Sequence, residues 1–362
     1  KNWRAMIMKD KYKVVIVGFA HVHINDVAKH FYEHPRIDLC GAADVPPHMP
    51  EMKPGAIYTR EWNIDYCCKN YNIPKFDDWK QMLDEVKPDL CVVNSENCYH
   101  VQITEECAKR GIGVSIEKPM ATTMSDAMKM YRIVKKYGTF YMVNWPITWN
   151  PGLQTVKRMV DDGAIGKVIH VEGFGPHRLG AAGRPQWFFE KEKYGGILCD
   201  IGSHQIEQYL FYAGEEDGTV SRSRIANYAH PQYPELDDFG DCAINGANGT
   251  TFYFRVDWFT PDGLRTWGDG RTIIIGTKGY IEIRKYVDVG TERDGGNHVF
   301  LVNDQGEQYI NATGLTGYPF FGDLILDSLN RTENAMTQAH AFKAAELCLI
   351  AQKQAEMVYQ AK

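Results

Sequence analysis

The stretch VVIVGFAHVHIND, residues 14–26, constrains the fold of this chain more than any other segment. Four β-favouring residues run into Gly18, and the residues beyond it are helical in spacing. The segment therefore reads as strand, tight turn and helix. A dinucleotide loop has the pattern G-x-G-x-x-G, whose glycines allow the turn, the approach of a pyrophosphate and close helix–strand packing. Here those positions hold Gly18, Ala20 and His23. On the loop alone, a pyrophosphate site at a helix N-terminus and a plain strand–turn–helix both stay open. In the first case Gly18, Phe19, Ala20, His21, Val22 and His23 meet the cofactor.

The same alternation continues. IDLCGAAD is a second strand ending in Asp44, and VPPHMPEMKPG follows as a Pro-rich loop. Helical spacing in WNIDYCCKNY, DDWKQMLDEV and HVQITEECAKRG alternates with the strands PDLCVVNS and IGVSIEKP. SDAMKMYRIVKKYG reads as a helix with a Ser-Asp start and a Gly stop. Strands alternating with helices predict a doubly wound parallel sheet. After FYMVNWP the character changes. A helix at LQTVKRMVDDG and a strand at KVIHVEGF precede a further helix after GGILCD. Beyond Ser221, FGDCAINGANGTTFYFRVDWF, TIIIGTKGYIEI and HVFLVNDQGEQYI read as hairpins, and NAMTQAHAFKAAELCLIAQKQAEMVYQ as one long terminal helix. The expected architecture is α/β. An N-terminal Rossmann domain, residues 1–145, precedes a C-terminal α+β domain, residues 146–362, with a large, mostly antiparallel sheet. The terminal helix is expected to dock back on the first domain.

With 362 residues, two domains are the default. A formal net charge of -6 argues against nucleic acid or an anionic membrane as the main partner. No apolar run is long enough to span a bilayer, and KNWRAMIMKDKYK lacks the apolar core of a secretory signal. Nine scattered cysteines without C-x-x-C spacing read as reduced thiols, so a cytoplasmic location is expected.

Three further segments bear on chemistry. Asp44 lies where a carboxylate accepts hydrogen bonds from the adenosine ribose hydroxyls. DVPPH offers no adjacent Arg for a 2′-phosphate, so NAD is expected over NADP. In SIEKPM, Lys118 closes a parallel strand, where it can hold a hydroxyl and stabilise alkoxide character; an E-K-P surface turn is the plain alternative. In GGILCDIGSHQIEQYLFYAG, Asp200 and His204 are four apart and share a helix face. His204 could accept a proton with Asp200 fixing its tautomer, or the two could be a solvated pair. Gly195, Gly196 and Gly202 suggest close backbone approach, the first two to a ligand. H-x-H at His21 and His23 can bind metal, but no carboxylate-rich motif accompanies it, so no metal is expected. The aromatic clusters WPITW, QWFFEKEKY and FYFRVDWFTPDGLRTWGDG lean toward a sugar or glycoside.

The order of these motifs, a nucleotide loop, an E-K-P strand end and a G-G-x-x-x-D-x-G-x-H helix, resembles the Gfo/Idh/MocA oxidoreductases. NSENCYHVQITEEC is similar to the family's T-P-N-x-x-H segment, with Glu96 where the family has Pro. NWPITWNPG is similar to its crossover into the second domain, with Pro146 and Thr148 where the family often has basic residues. The resemblance implies NAD contacts from Asn94, Ser95, Asn97, His100, Glu117, Lys118 and Asn144. It places Lys118, Asp200 and His204 on catalytic positions, with Trp145, His177 and Trp187 beside the substrate. It also implies a small carbohydrate or glycoside substrate and a homo-oligomer built through the hairpin sheet. The implied reaction is hydride transfer between a secondary hydroxyl and nicotinamide. A glycoside-cleaving enzyme that recycles NAD, and a non-catalytic NAD- or sugar-binding regulator, are the alternatives.

Overall fold

The computed structural model of the chain describes residues 11–46, 53, 55–145, 150–291, 296–316 and 319–362. Pro146 and Thr148 lie outside the described residues. The first half alternates β1 (Tyr12–Val17), α1 (Ile24–Glu33), β2 (Ile37–Ala43), α2 (Arg60–Tyr71), β3 (Lys75–Phe76), α3 (Trp79–Val86), β4 (Leu90–Val93), α4 (His100–Lys109), β5 (Gly113–Glu117), α5 (Met124–Tyr137) and β6 (Tyr141–Asn144). Its strands form one parallel sheet in the order β3-β2-β1-β4-β5-β6, the doubly wound pattern read from the sequence. Val14 to Val17 and Leu90 to Val93 are buried because helices cover both faces of these central strands. The chain order reverses between β1 and β4, and a crevice opens there at the carboxyl ends of the strands. Gly18, Asp44, Asn94 and Lys118 all sit at or just beyond those ends. Helix α5 begins earlier than expected. Its cap is Thr123, whose hydroxyl accepts from the Asp126 amide at 3.1 Å, while Gly138 ends it at φ +61°.

The second half contains α6 (Pro151–Asp161), β7 (Val168–Pro176), the short helices α7 (Lys191–Tyr194) and α8 (Ile197–Asp200), and α9 (Gly202–Ala213). Strands β8 (Gly218–Asn227), β9 (Phe239–Gly246), β10 (Thr251–Asp257), β11 (Arg271–Gly276), β12 (Gly279–Arg284), β13 (His298–Asn303) and β14 (Gly306–Asn311) follow. They include the three expected hairpins. With β15 (Glu356–Gln360) at one edge, the nine-stranded sheet runs β14-β13-β12-β11-β7-β10-β9-β8-β15, and only the β7–β10 and β8–β15 pairs are parallel. Its inner face buries Phe252, Phe254, Ile274 and Ile281, with Tyr209 of α9 stacked on Phe252 at 4.6 Å.

The tail departs from the expected single helix. After α10 (Pro319–Asn330), α11 covers Gln338–Gln354, and Glu356–Gln360 forms β15 along the edge of β8. EMVYQ carries a β-branched and an aromatic residue, and pairing with an open sheet edge overrides the helical continuation. Helix α11 packs against the parallel sheet, where Phe342 stacks on Tyr141 of β6 at 5.6 Å. The nine cysteines are free thiols. Among the described residues no helix is long and apolar enough to cross a membrane.

Candidate active site

At the β1–α1 turn, Gly18 has φ +88°, and a Cβ there would stand 2.5 Å from the backbone of Ser95. Glycine is required twice over, by conformation and by the close passage of β4. The Gly18 amide donates to Ala43 O and the Ala20 amide to Asn94 O, so the turn is tied to both neighbouring strands. His23, at the third glycine position, donates from Nδ1 to Glu117 Oε1 at 2.9 Å, linking α1 to the end of β5. Phe19 differs from its neighbours: its ring is buried in the core and only its amide faces the site, donating to Asp44 Oδ1 at 3.1 Å.

Asp44 is where the sequence placed it, but its surroundings are not. Arg60 of α2 donates to both carboxylate oxygens, from Nε at 2.9 Å and Nη2 at 3.3 Å. The same guanidinium reaches Glu96 Oε1 from Nη1 at 3.0 Å. An Arg absent from the local sequence is thus supplied by the fold, and Glu96, in the position of the family's Pro, is its second counter-ion. Asn94 and Ser95 lie against this turn; Asn94 donates to Glu117 Oε2 at 3.4 Å. Asn97, His100 and Asn144 are each tied to the protein through one side-chain atom. Asn97 donates to Lys193 O, His100 Nδ1 to Met120 O, and Asn144 accepts from the Ser115 hydroxyl.

Lys118, joined to Pro119 by a cis peptide bond, enters the crevice from β5. Its ammonium donates to Asp200 Oδ1 at 2.8 Å and to Asp200 O at 3.3 Å. Burial alone would raise the Asp200 carboxyl, but Lys118, Arg184 and His177 outweigh it and hold the pKa below the usual range. The expected Asp200–His204 contact is absent. Ile201, between α8 and α9, keeps right-handed helical angles of φ -93° and ψ -37°, and the Asp200 carboxylate turns to Lys118 instead. His204 is 7% exposed, and its Nδ1 has no hydrogen-bond partner among the described residues. Burial, then the charge of Lys118, pushes its pKa well below the ordinary value. A Cβ on Gly195 would stand 3.2 Å from the side chains of Cys199 and Thr122. A Cβ on Gly196 would meet the Gln352 side chain of α11 at 2.2 Å, so the terminal helix fills that space. Gly202 lies 3.1 Å, by the same measure, from the Phe254 ring.

One cavity of about 630 Å³ joins these parts, lined by His21, Val22, His23, Lys118, His177, Asp200 and His204. His177 leans on Trp267 at 4.3 Å, and burial pushes it down to about 3. Trp145 and Trp187 are packed in the core and do not line the cavity. Sequence reading missed Arg184, Gln205, Gln208 and Lys285, which do. Trp258 and Trp267, also in the lining, came from one of the aromatic clusters singled out in the sequence. Donor atoms of His21, His23 and Glu117 lie within 4.8 Å of one another, so the fold supplies the carboxylate that the H-x-H sequence lacked.

Residues 12–145 match the model of an oxidoreductase family with an NAD-binding Rossmann fold, and residues 153–282 the GFO/IDH/MocA C-terminal domain. The chain belongs to the Gfo/Idh/MocA family. A crystal structure of an oxidoreductase candidate from Erwinia carotovora atroseptica superposes with a TM-score of 0.86 at 38% identity, covering 96% of this chain and 100% of that one. The 2,7-anhydro-N-acetylneuraminate hydratase of Mediterraneibacter gnavus is 26% identical over 62% of this chain and 59% of its own length. The scyllo-inositol 2-dehydrogenase (NAD(+)) of Bacillus subtilis is 26% identical over 64% of each. This chain therefore aligns with less than two thirds of either curated relative.

Within this Gfo/Idh/MocA chain the cofactor is NAD. The β1–α1 turn fits it. The amides of His21 and Val22 meet no protein acceptor among the described residues, and both residues line the cavity at the start of α1. Asp44→Ala is expected to weaken NAD binding and, by releasing Arg60, to strengthen NADP binding. Titration of both cofactors by intrinsic fluorescence checks this, and unchanged NADP affinity would contradict it. The buried histidines set a second expectation. With His177 and His204 held below their unfolded pKa, the unfolded chain binds more protons than the folded one below about pH 6.5. Their contribution is complete above that pH and is lost as pH falls toward 3. Thermal midpoints measured across that window should fall on acidification, and His177→Gln should flatten the slope.

Proposed function

We propose that the protein is an NAD-dependent dehydrogenase acting on a secondary hydroxyl of a sugar, cyclitol or glycoside. The observation that carries this reading is the Lys118–Asp200 ion pair in the same cavity as an unprotonated His204. Two of the three Lys118 N–H groups are engaged by Asp200, which leaves one for an oxygen in the cavity. That ammonium stabilises negative charge developing on the substrate oxygen. His204, neutral throughout the physiological range, accepts the hydroxyl proton. Asp200 acts through Lys118 and not through His204: it keeps the amine charged and aimed. Bound NAD supplies the hydride acceptor. Gly18, the His21 and Val22 amides and Asp44 would hold it.

Incubating the protein with NAD and a panel of sugars, cyclitols and glycosides, and following NADH absorbance, tests the proposal. NADH with a matching keto product is expected for at least one of them. The relation to a hydratase favours a second outcome, in which a transient keto-sugar loses or gains a neighbouring substituent and NAD is recycled. Product analysis separates the two, since the second consumes no free NAD. The nine-stranded sheet exposes Ile169, Tyr280 and Tyr309. Light scattering at micromolar concentration is expected to find a homo-oligomer formed through that sheet, and a monomer would contradict this.

A further inference from the structure

The cavity holds more positive charge than hydroxyl oxidation uses. Lys118 is neutralised by Asp200, yet Arg184 and Lys285 line the same space without an ion-pair partner among the described residues. Arg184 is fixed in place. Its guanidinium carbon stands 4.5 Å from the Phe188 ring centroid and 4.9 Å from that of Trp258, and Nε donates to Leu179 O at 3.0 Å. Its terminal N–H groups have no protein acceptor among the described residues. Lys285 is 5% exposed and, among the described residues, donates only to the Gln208 side-chain oxygen at 2.5 Å. Burial lowers its pKa to about 7, against the opposing charge of Glu207, whose Oε1 is engaged by His340 at 3.1 Å. Lys118, Arg184 and Lys285 in the lining face two carboxylates, Asp200 and the exposed Asp26. With Lys285 titrating at about 7, the surplus is at most one positive charge, complete when an anion in the cavity holds the Lys285 proton in place.

We propose that the substrate is an acidic sugar, a uronic or other sugar carboxylic acid, whose carboxylate is bound by Arg184 with Lys285 adding positive potential. This rests on the dehydrogenase reading above. A guanidinium already held in one plane presents the fork that a carboxylate matches with two parallel hydrogen bonds. A monoanion balances the surplus charge, whereas a phosphate dianion would exceed it beside Asp200. Trp258 and Trp267 in the lining offer apolar faces to the sugar ring. A neutral sugar would shut water out and leave the guanidinium unpaired, so the site discriminates against it.

The test compares glucuronate, galacturonate and their methyl glycosides with glucose, methyl glucoside and glucose 6-phosphate. Two readouts are used with NAD present: NADH formation, and quenching of tryptophan fluorescence on binding. Preferential oxidation of the acids is expected. In Arg184→Met the kcat/KM ratio of acid over neutral sugar should fall roughly a hundredfold, the scale for truncating one side of a buried charge pair, with KM carrying most of the change. Arg184→Lys should recover part of it, which a merely structural role would not produce. Retained NAD binding shows that the variants fold. Neutral sugars or the phosphate oxidised better than the acids would overturn the carboxylate assignment and leave the dehydrogenase reading intact. Acids that bind in an Arg184-dependent way without turnover would support the assignment and sink the dehydrogenase reading. Failure of every acid to bind or react would overturn the proposal.

Discussion

Lys118→Ala is expected to lose at least about a hundredfold in turnover on the true substrate while still binding NAD, and His204→Ala likewise. Removing a positioned acid or base typically costs about 10²–10⁴ in rate. Neither side chain belongs to the turn that receives the cofactor. The two variants should differ in stability. Lys118→Ala leaves Asp200 buried without its main counter-ion, which typically costs roughly 3–5 kcal/mol. His204 has no hydrogen-bonded partner at Nδ1 to strand. Lys118→Met combined with Asp200→Asn should recover much of the lost stability and none of the activity, separating the structural part of the ion pair from its chemical part. Because Asp200 acts through Lys118, the Lys118/Asp200 double variant should be far less impaired than the product of the singles, whereas His204/Asp200 should lie closer to multiplicative. The opposite coupling would return Asp200 to His204.

Gly18→Ala is the second large effect. The residue is at φ +88°, and the added Cβ would lie 2.5 Å from the Ser95 backbone, which cannot yield without moving β4. Backbone strain at a positive φ costs roughly 1–3 kcal/mol by itself, and the clash adds to it. The variant should be markedly destabilised in denaturant and should lose NAD affinity. Ala20→Gly is the informative contrast. It restores the second glycine of the loop pattern at a position that already tolerates a methyl, so NAD affinity should change only a few-fold. A stable Gly18→Ala with normal NAD binding would show the turn to be laxer than its geometry.

The Rossmann half was legible because its signals are local. Apolar runs such as Val14 to Val17 must be covered on both faces, and Gly138 stops its helix where expected. The hairpins were equally plain, since TIIIGTKGYIEI carries its turn within itself. What stayed hidden depends on distance. Arg60 lies 16 residues from Asp44 in sequence, and nothing in DVPPH announces it. Arg184 and Lys285 line one cavity with about a hundred residues between them. Helical spacing suggested an Asp200–His204 pair, yet the Asp200 carboxylate pairs with Lys118, 82 residues earlier. Gly196, the second of the paired glycines before that helix, proved to admit Gln352 of the terminal helix. The β15 strand was hidden because a sheet edge, not the local residues, decides its conformation.

The central claim, that Lys118 and His204 serve hydride transfer from a sugar hydroxyl to NAD, is tested most directly by NADH formation. The wild type, Lys118→Ala and His204→Ala are each loaded with NAD and given the same panel of neutral and acidic sugars, with the keto product measured alongside. The account predicts NADH and keto-sugar in equal amounts from the wild type with at least one sugar, and at least about a hundredfold less from each variant at unchanged NAD occupancy. A variant that oxidises that sugar at the wild-type rate, or a wild type that binds NAD and sugar yet forms neither product, would contradict it.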